Sequence, residues 1–412
     1  MSDLRASKRG LDLVDGFTSV AVAAGIKASG KPDLSLIVSD GPCVVGGVFT
    51  SNQAAAPPVQ YCRRVLRRAE HRAVVVNAGN ANCATGAAGL ADAKTMAAHS
   101  AQLIGCKPAE VLVCSTGVIG VPLPMDKVCA GIDAAHAGLG KRGQPRPATA
   151  ILTTDTRVKE RAYRHSAGYA LAGIAKGSGM IHPNMATMLG FVLTDAVIAK
   201  ADLQAITTRA TARSFNRISV DNDESTNDTL LVLASGASGK SVSSARALAA
   251  FEDALTRLCQ ELAQDIVRDG EGATSFIEVC VTGTKSEAQA NKVASAVCDS
   301  MLVKTAFAGR DPNWGRIAAA AGYSGVKFKM ERMTISLNGV VIFSQGGGHD
   351  DRKRPFVKVG GRGVVKRADL AKSMTSGDQR VVIDLGQGDG AATRWTSDLT
   401  HGYISINADY TT

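Results

Sequence analysis

Lys176-Gly-Ser-Gly-Met-Ile-His-Pro-Asn-Met-Ala-Thr-Met-Leu-Gly190 gathers the residues whose types and order allow covalent chemistry. It carries no charge after Lys176 and is dense in Gly, Met and Pro, with one hydroxyl, Thr187, inside an apolar run. Gly177, Gly179 and Pro183 interrupt any helical or strand period, so the segment reads as a shaped loop leading into the apolar run that begins at Met185. A threonine where a loop becomes regular structure is ordinarily an N-cap. The alternative is a nucleophile: a chain cut before Thr187 exposes an α-amine beside its hydroxyl, supplying base and nucleophile in one residue. A free α-amine has an ordinary pKa of about 7.7–8.0, close enough to neutrality to accept the hydroxyl proton. The seven histidines are scattered, and none sits in a recognisable nucleophile motif.

Lys176–Gly190 resembles the signature of the ornithine acetyltransferases, or bifunctional glutamate N-acetyltransferases, of arginine biosynthesis. That family carries a pattern close to K-G-[AS]-G-M-I-x-P-N-M-A-T-M-L and cleaves itself between its Ala and Thr. The resemblance implies a cut between Ala186 and Thr187, with Thr187 as nucleophile. His182 stands at the variable position, where a small residue is more usual.

An acyl-transferring hydroxyl also needs oxyanion donors and charges that orient the substrate. Cys114-Ser-Thr-Gly-Val-Ile-Gly120 follows the apolar run Val111–Val113. A strand ending in Thr-Gly can turn backbone N–H groups and a hydroxyl toward one point, although such a pair is more often a plain turn. By resemblance, Thr116 and Gly117 form the oxyanion hole. Lys176 can meet a substrate carboxylate as a point charge. Glu271, between Gly270 and Gly272 after a long helix, is by residue type a surface side chain near a helix end. The resemblance makes it a substrate contact, matched to an ammonium. Thr153-Thr154-Asp155-Thr156 resembles a family segment whose threonine touches substrate; Thr153 and Thr154 both stay open, Thr153 being favoured. At the C-terminus, Asn407 and Thr412 correspond to family binding residues, which implies an ordered tail. The implied substrates are N-acetylornithine and glutamate. Some members also accept acetyl-CoA as donor; no cofactor and no metal are implied.

Two decoys fall away on spacing. Asp221–Asp228 is acid-rich but lacks the Gly at the sixth and Glu at the twelfth position of a calcium loop. Ala234-Ser-Gly-Ala-Ser-Gly-Lys-Ser241 ends like a phosphate loop but starts on Ala234 instead of Gly.

The 412 residues exceed the size at which one core stops growing, so two or more substructures are expected. The net charge of 47 − 37 = +10 lies in short clusters such as Arg63–Arg64 with Arg67–Arg68, without interleaved aromatics, which argues against nucleic acid. Nine cysteines without a CxxC pair, several in apolar runs, fit buried thiols in a reducing compartment. The N-terminus lacks the apolar core of a signal peptide, and no run is long enough to span a bilayer. A cytoplasmic protein that binds no membrane is expected.

These residues must be positioned by short strands and Ala-rich helices. Strands are expected at 35–38, 44–49, 73–77, 111–115, 276–282, 333–337 and 381–385, and helices at 89–104, 201–214 and 247–267. The last helix has an apolar stripe at 247, 248, 251, 254, 255, 258, 262 and 266. Aromatics are only 4%, so close backbone approaches should build the core. The pattern is mixed α/β (α+β) without strict βαβ alternation. The resemblance, which runs from about Gly16 to Thr412, implies a layered sandwich whose mixed sheets draw strands from two autoproteolytic fragments, plus a smaller α/β subdomain. Those fragments are an alpha chain, 1–186, and a beta chain, 187–412, associating as a heterotetramer of two of each. A self-cut aminopeptidase or amidase of similar fold is the competing chemistry, disfavoured by the full Lys176–Leu189 pattern and the Glu271 segment.

Overall fold

The computed structural model describes residues 3–182, 188–348, 367–375 and 377–409. Among these residues two compact units emerge, the first from 3–182, 188–216 and 223–269, the second from 217–222, 270–348, 367–375 and 377–409. Their boundaries fall away from the expected 186/187 cut, which would concern a peptide bond and not a packing boundary.

In the first unit, nine strands form one hydrogen-bonded system. They are β1 (Leu4–Ala6), β2 (Phe17–Val22), β3 (Leu34–Phe49), β4 (His71–Asn80), β5 (Val111–Val118), β6 (Lys159–His165), β7 (Ala170–Lys176), β8 (Leu189–Thr194) and β10 (Thr229–Ala234). The order is β1-β6-β7-β8-β10-β3-β4-β5, with β2 on β3. Only β8–β10 and β4–β5 run parallel; the other pairings are antiparallel. The sheet is therefore mixed, and it draws strands from both sides of residue 187.

The two runs expected at 35–38 and 44–49 are one strand. Register shifts between Val38 and Cys43, so the first half of β3 pairs with β2 and β4 while its second half pairs with β10. Both halves face a common core that includes Leu36, Val74, Val113, Ile174, Phe191 and Leu231.

Helices α1 (Pro57–Val65), α2 (Gly86–Ile104), α3 (Met125–Gly138), α4 (Pro147–Ala150), α5 (Lys200–Ala212) and α6 (Ala245–Arg268) cover the strands. The apolar stripe of α6 is the buried face, from Phe251 through Leu255, Leu258 and Leu262 to Ile266. Its approach to β7 depends on Gly173: a Cβ there would stand 2.8 Å from Leu258 and 3.1 Å from Leu262. Small residues in strands thus replace aromatic bulk, as the composition suggests.

The second unit holds β9 (Ile218–Ser219), β11 (Ser275–Thr284), β12 (Thr334–Leu337), β13 (Val340–Ser344), β14 (Gly347–Gly348), β15 (Gly377–Asp384) and β16 (Gly390–Ser397). Their order is β14-β13-β12-β15-β11-β16-β9, again mixed. Helices α7 (Glu287–Cys298), α8 (Met301–Ala308), α9 (Trp314–Gly322), α10 (Arg367–Ser373) and α11 (His401–Asp409) complete it. Ile277, Val279, Val293, Val297, Ile335 and Ile383 share its core. The fold class is α/β with two mixed sheets.

All nine cysteines are free thiols. Burial pushes Cys43, Cys259 and Cys298 up to about 12, which keeps them inert. No helix among the described residues is long and apolar enough to cross a membrane.

Candidate active site

Thr116 and Gly117 do not end β5, as the sequence suggests; the strand continues to Val118 and the irregularity is a bulge in its pairing. Asn80 of β4 faces both Thr116 and Val118, so one residue opposes a stretched partner. Such bulges re-aim backbone groups next to active sites. Gly117 has φ +131°, and a Cβ there would lie 2.3 Å from the Gly79 carbonyl carbon and 2.5 Å from the Asn80 nitrogen. Only glycine fits.

Lys176 is the last residue of β7 and only 3% exposed. Its Nζ donates to Thr116 Oγ1 at 3.3 Å, which places the cation beside the bulge. β7 and β8 pair antiparallel with Lys176 opposite Leu189, so the segment between them leaves and re-enters the sheet side by side. Ala186 and Thr187 belong to 183–187, outside the described residues, as does Thr412.

Both ends of that segment are anchored. At the start, the Gly177 N–H donates to Asp155 Oδ1 at 2.7 Å, and the Ser178 hydroxyl to the Asp269 carbonyl at 2.5 Å. Past Thr187, the Met188 N–H donates to Asp228 Oδ1 at 2.9 Å, and the Met188 carbonyl accepts from the Thr229 N–H at 3.1 Å.

Asp155 also accepts the Thr153 N–H at 3.0 Å, so one carboxylate ties the Thr153–Thr156 segment to the residue after Lys176. This brings the Thr153 backbone near Lys176 and leaves the choice between the Thr153 and Thr154 side chains open. Beneath them, Lys159 Nζ bridges Asp155 Oδ1 at 2.6 Å and Asp269 Oδ2 at 2.5 Å, with all three side chains at most 2% exposed. Burial alone would raise the Asp155 carboxyl, but Lys176, Lys159 and the Thr153 N–H hold it at about 2. A second cation lies nearby: Lys27 Nζ donates to the Pro32 and Ala150 carbonyls at 2.8 Å each. Burial and the charge of Lys176 lower Lys27 to about 8, against the pull of Asp33 and Asp155.

In the second unit, Glu271 is 9% exposed and its Oε2 accepts from Asn407 Nδ2 at 2.9 Å. Asn407 lies on α11, so the tail is regular structure through Asp409. Thr400 Oγ1 donates to the Gly272 carbonyl at 2.6 Å, and Asp398 accepts the Thr274 and Ser275 N–H groups at 2.8 and 3.0 Å. Residues 271–275 are thereby held against the chain after β16. Lys304 of α8 holds the end of β16 itself, donating to Thr396 Oγ1 at 2.8 Å and to the Ser397 carbonyl; burial lowers it to about 8.

A profile of the ArgJ family matches residues 18–412. The chain belongs to the ArgJ family. The arginine biosynthesis bifunctional protein ArgJ of Geobacter sulfurreducens is 47% identical over 407 residues, covering 97% of this chain and 100% of that protein. ArgJ 1 of Nostoc sp. is 42% identical over 418 residues and covers 100% of both chains. A solved ornithine acetyltransferase from Mycobacterium tuberculosis, complexed with ornithine, is 39% identical, with a TM-score of 0.42; the match covers 45% of this chain and 100% of that one.

Sequence reading missed the carboxylates behind the ArgJ motif. Asp155 was visible inside the Thr153–Thr156 segment, and Asp228 closed the acid-rich run weighed as a calcium loop. The remaining signal was weak: charged residues at the edges of apolar strands, which burial makes costly unless they are paired.

Proposed function

We propose that this chain is a self-processing acetyltransferase of arginine biosynthesis that moves acetyl from N-acetylornithine to glutamate through acetyl-Thr187. The observation that carries the reading is the Lys176 ammonium 3.3 Å from the Thr116 hydroxyl, beside the Gly117 bulge. It stands at the mouth of the segment holding Ala186 and Thr187, within a chain of the ArgJ family.

After cleavage between Ala186 and Thr187, the Thr187 amine takes the proton of its own hydroxyl while Oγ attacks the acetyl carbonyl. The tetrahedral oxyanion is received by Thr116 and Gly117, donors already fixed by the β4–β5 pairing. Collapse breaks the C–N bond, and the departing ornithine amine takes the proton. The glutamate amine then attacks acetyl-Thr187, and the Thr187 oxygen leaves with its proton restored, in ping-pong fashion. Lys176 pairs with a substrate carboxylate, and Glu271 with the ornithine side-chain ammonium. Thr153, Thr154, Asn407 and Thr412 complete substrate binding. The substrates are small molecules, and no cofactor is required. Acetyl-CoA can replace N-acetylornithine as donor in the bifunctional form. The alpha and beta fragments, 1–186 and 187–412, remain associated in the cytoplasm as two of each.

Mass spectrometry of purified protein tests the cut, and coupled assays with N-acetylornithine or acetyl-CoA plus glutamate test the chemistry. An intact chain near 42.6 kDa whose Thr187→Ala variant keeps full activity would refute the proposal.

A further inference from the structure

Residues 225–229 enter β10 across the chain from the loop that carries Thr187, and consecutive side chains there serve two different strands. Asn227, 7% exposed, donates from Nδ2 to the Ser115 carbonyl at 2.9 Å and to the Ala81 carbonyl at 2.7 Å. Ser115 immediately precedes Thr116, and Ala81 follows the bulged Asn80. Asp228, fully buried, accepts the Met188 N–H on Oδ1 at 2.9 Å. Met188 is the residue after Thr187 in the chain, so this contact holds the immediate neighbour of the proposed nucleophile.

We propose that Asn227 and Asp228 are positioning residues, a two-residue clamp that keeps Thr187 in register with Thr116 and Gly117. The inference rests on the acyl-transfer reading above and adds what sets the distance between nucleophile and oxyanion donors. The clamp lies on the 187–412 side of the cut, while Ser115 and Ala81 lie on the 1–186 side; it therefore ties the two fragments at the reacting centre.

Among the described residues, Asp228 Oδ2 is buried with no hydrogen-bond partner. Burial raises this carboxyl well above the ordinary range, against the Met188 N–H, Ser225 and the charge of Lys176, with Glu224 adding to the rise. The neutral acid is favoured, and the contact to Met188 needs only an uncharged oxygen acceptor. An amide supplies the same acceptor in the same shape.

The test uses the full chain in four forms: wild type, Asp228→Ala, Asp228→Asn and Asn227→Ala. Each is followed for cleavage by mass spectrometry, for kcat and KM of acetyl transfer to glutamate, and for thermal melting. A misplacement of about 1 Å costs on the order of 10²-fold in rate. Asp228→Ala should lower both the cleavage rate and kcat by about that factor with KM nearly constant, and Asp228→Asn should recover most of the loss. Wild-type rates in Asp228→Ala overturn the clamp. So does a failure of Asn to recover more than Ala, because the carboxyl would then act as an acid. Should Asp228→Ala not fold, Asn227→Ala decides: a fall in kcat at constant KM supports the clamp, and an unchanged kcat overturns it. A wild type that neither cleaves nor transfers refutes the acyl-transfer reading instead.

Discussion

Replacing Gly117 by alanine is the sharpest perturbation of the strand proposed to carry the oxyanion donors. The added Cβ would sit 2.3 Å from the Gly79 carbonyl carbon, where carbon atoms ordinarily rest about 3.5–4.0 Å apart. The overlap exceeds about 1 Å, and the obstructing atoms are backbone, so no rotamer change relieves it. At φ +131°, alanine is strained whatever space surrounds it. β5 must therefore shift against β4 by about 1 Å, enough to cost on the order of 10²-fold in rate. That factor equals about 2.7 kcal/mol, the lower edge of the loss when one oxyanion donor is removed outright. Acetyl transfer from N-acetylornithine to glutamate is the assay, with saturating substrates to isolate kcat and a melting curve to show that the variant is folded. A folded Gly117→Ala enzyme with kcat within about twofold of wild type would refute the oxyanion assignment and the packing argument together.

Two further outcomes concern the buried charges behind the loop. Lys159→Met leaves Asp155 and Asp269 without their ammonium; breaking a buried pair in this way costs about 3–5 kcal/mol. At roughly 2–4 °C per kcal/mol, melting should fall by about 6–20 °C, and a change below about 2 °C would sink the estimate. For pH, Asp155 is depressed from 3.8 to about 2 when folded. It therefore contributes about 2 kcal/mol of stability above pH 4, a contribution lost as the pH falls from about 4 to about 2. Urea unfolding between pH 5 and 2 should show that slope in the wild type, and Asp155→Asn should flatten it.

The family relationship was legible in the chain because contiguous residues carry it: the Lys176–Gly190 motif, the Thr-Gly pair at 116–117 and the glycine-flanked Glu271 each stand in one short run, although each residue type taken alone has a plainer use. The amphipathic stripe of α6 was equally clear, since a 3.6-residue period needs no partner to be seen. Strands were harder. β7, β8 and β10 were not assigned, because a strand buried on both faces loses the alternation that marks it, and all three are buried at every position.

Residue order by itself determined the ArgJ relationship, the proposed nucleophile and the α/β class. Only tertiary structure decided how the parts meet. Asp155 joins Thr153 to Gly177 across more than twenty residues, Lys159 needs Asp269 from the end of α6, and Asn227 and Asp228 reach β5 and Met188. A polar side chain in a sequence carries no sign of whether it will be solvated or sealed in. Burial makes that decision, because a carboxylate taken out of water must find a cation, an N–H group or a proton, and the fold alone determines which of these it meets.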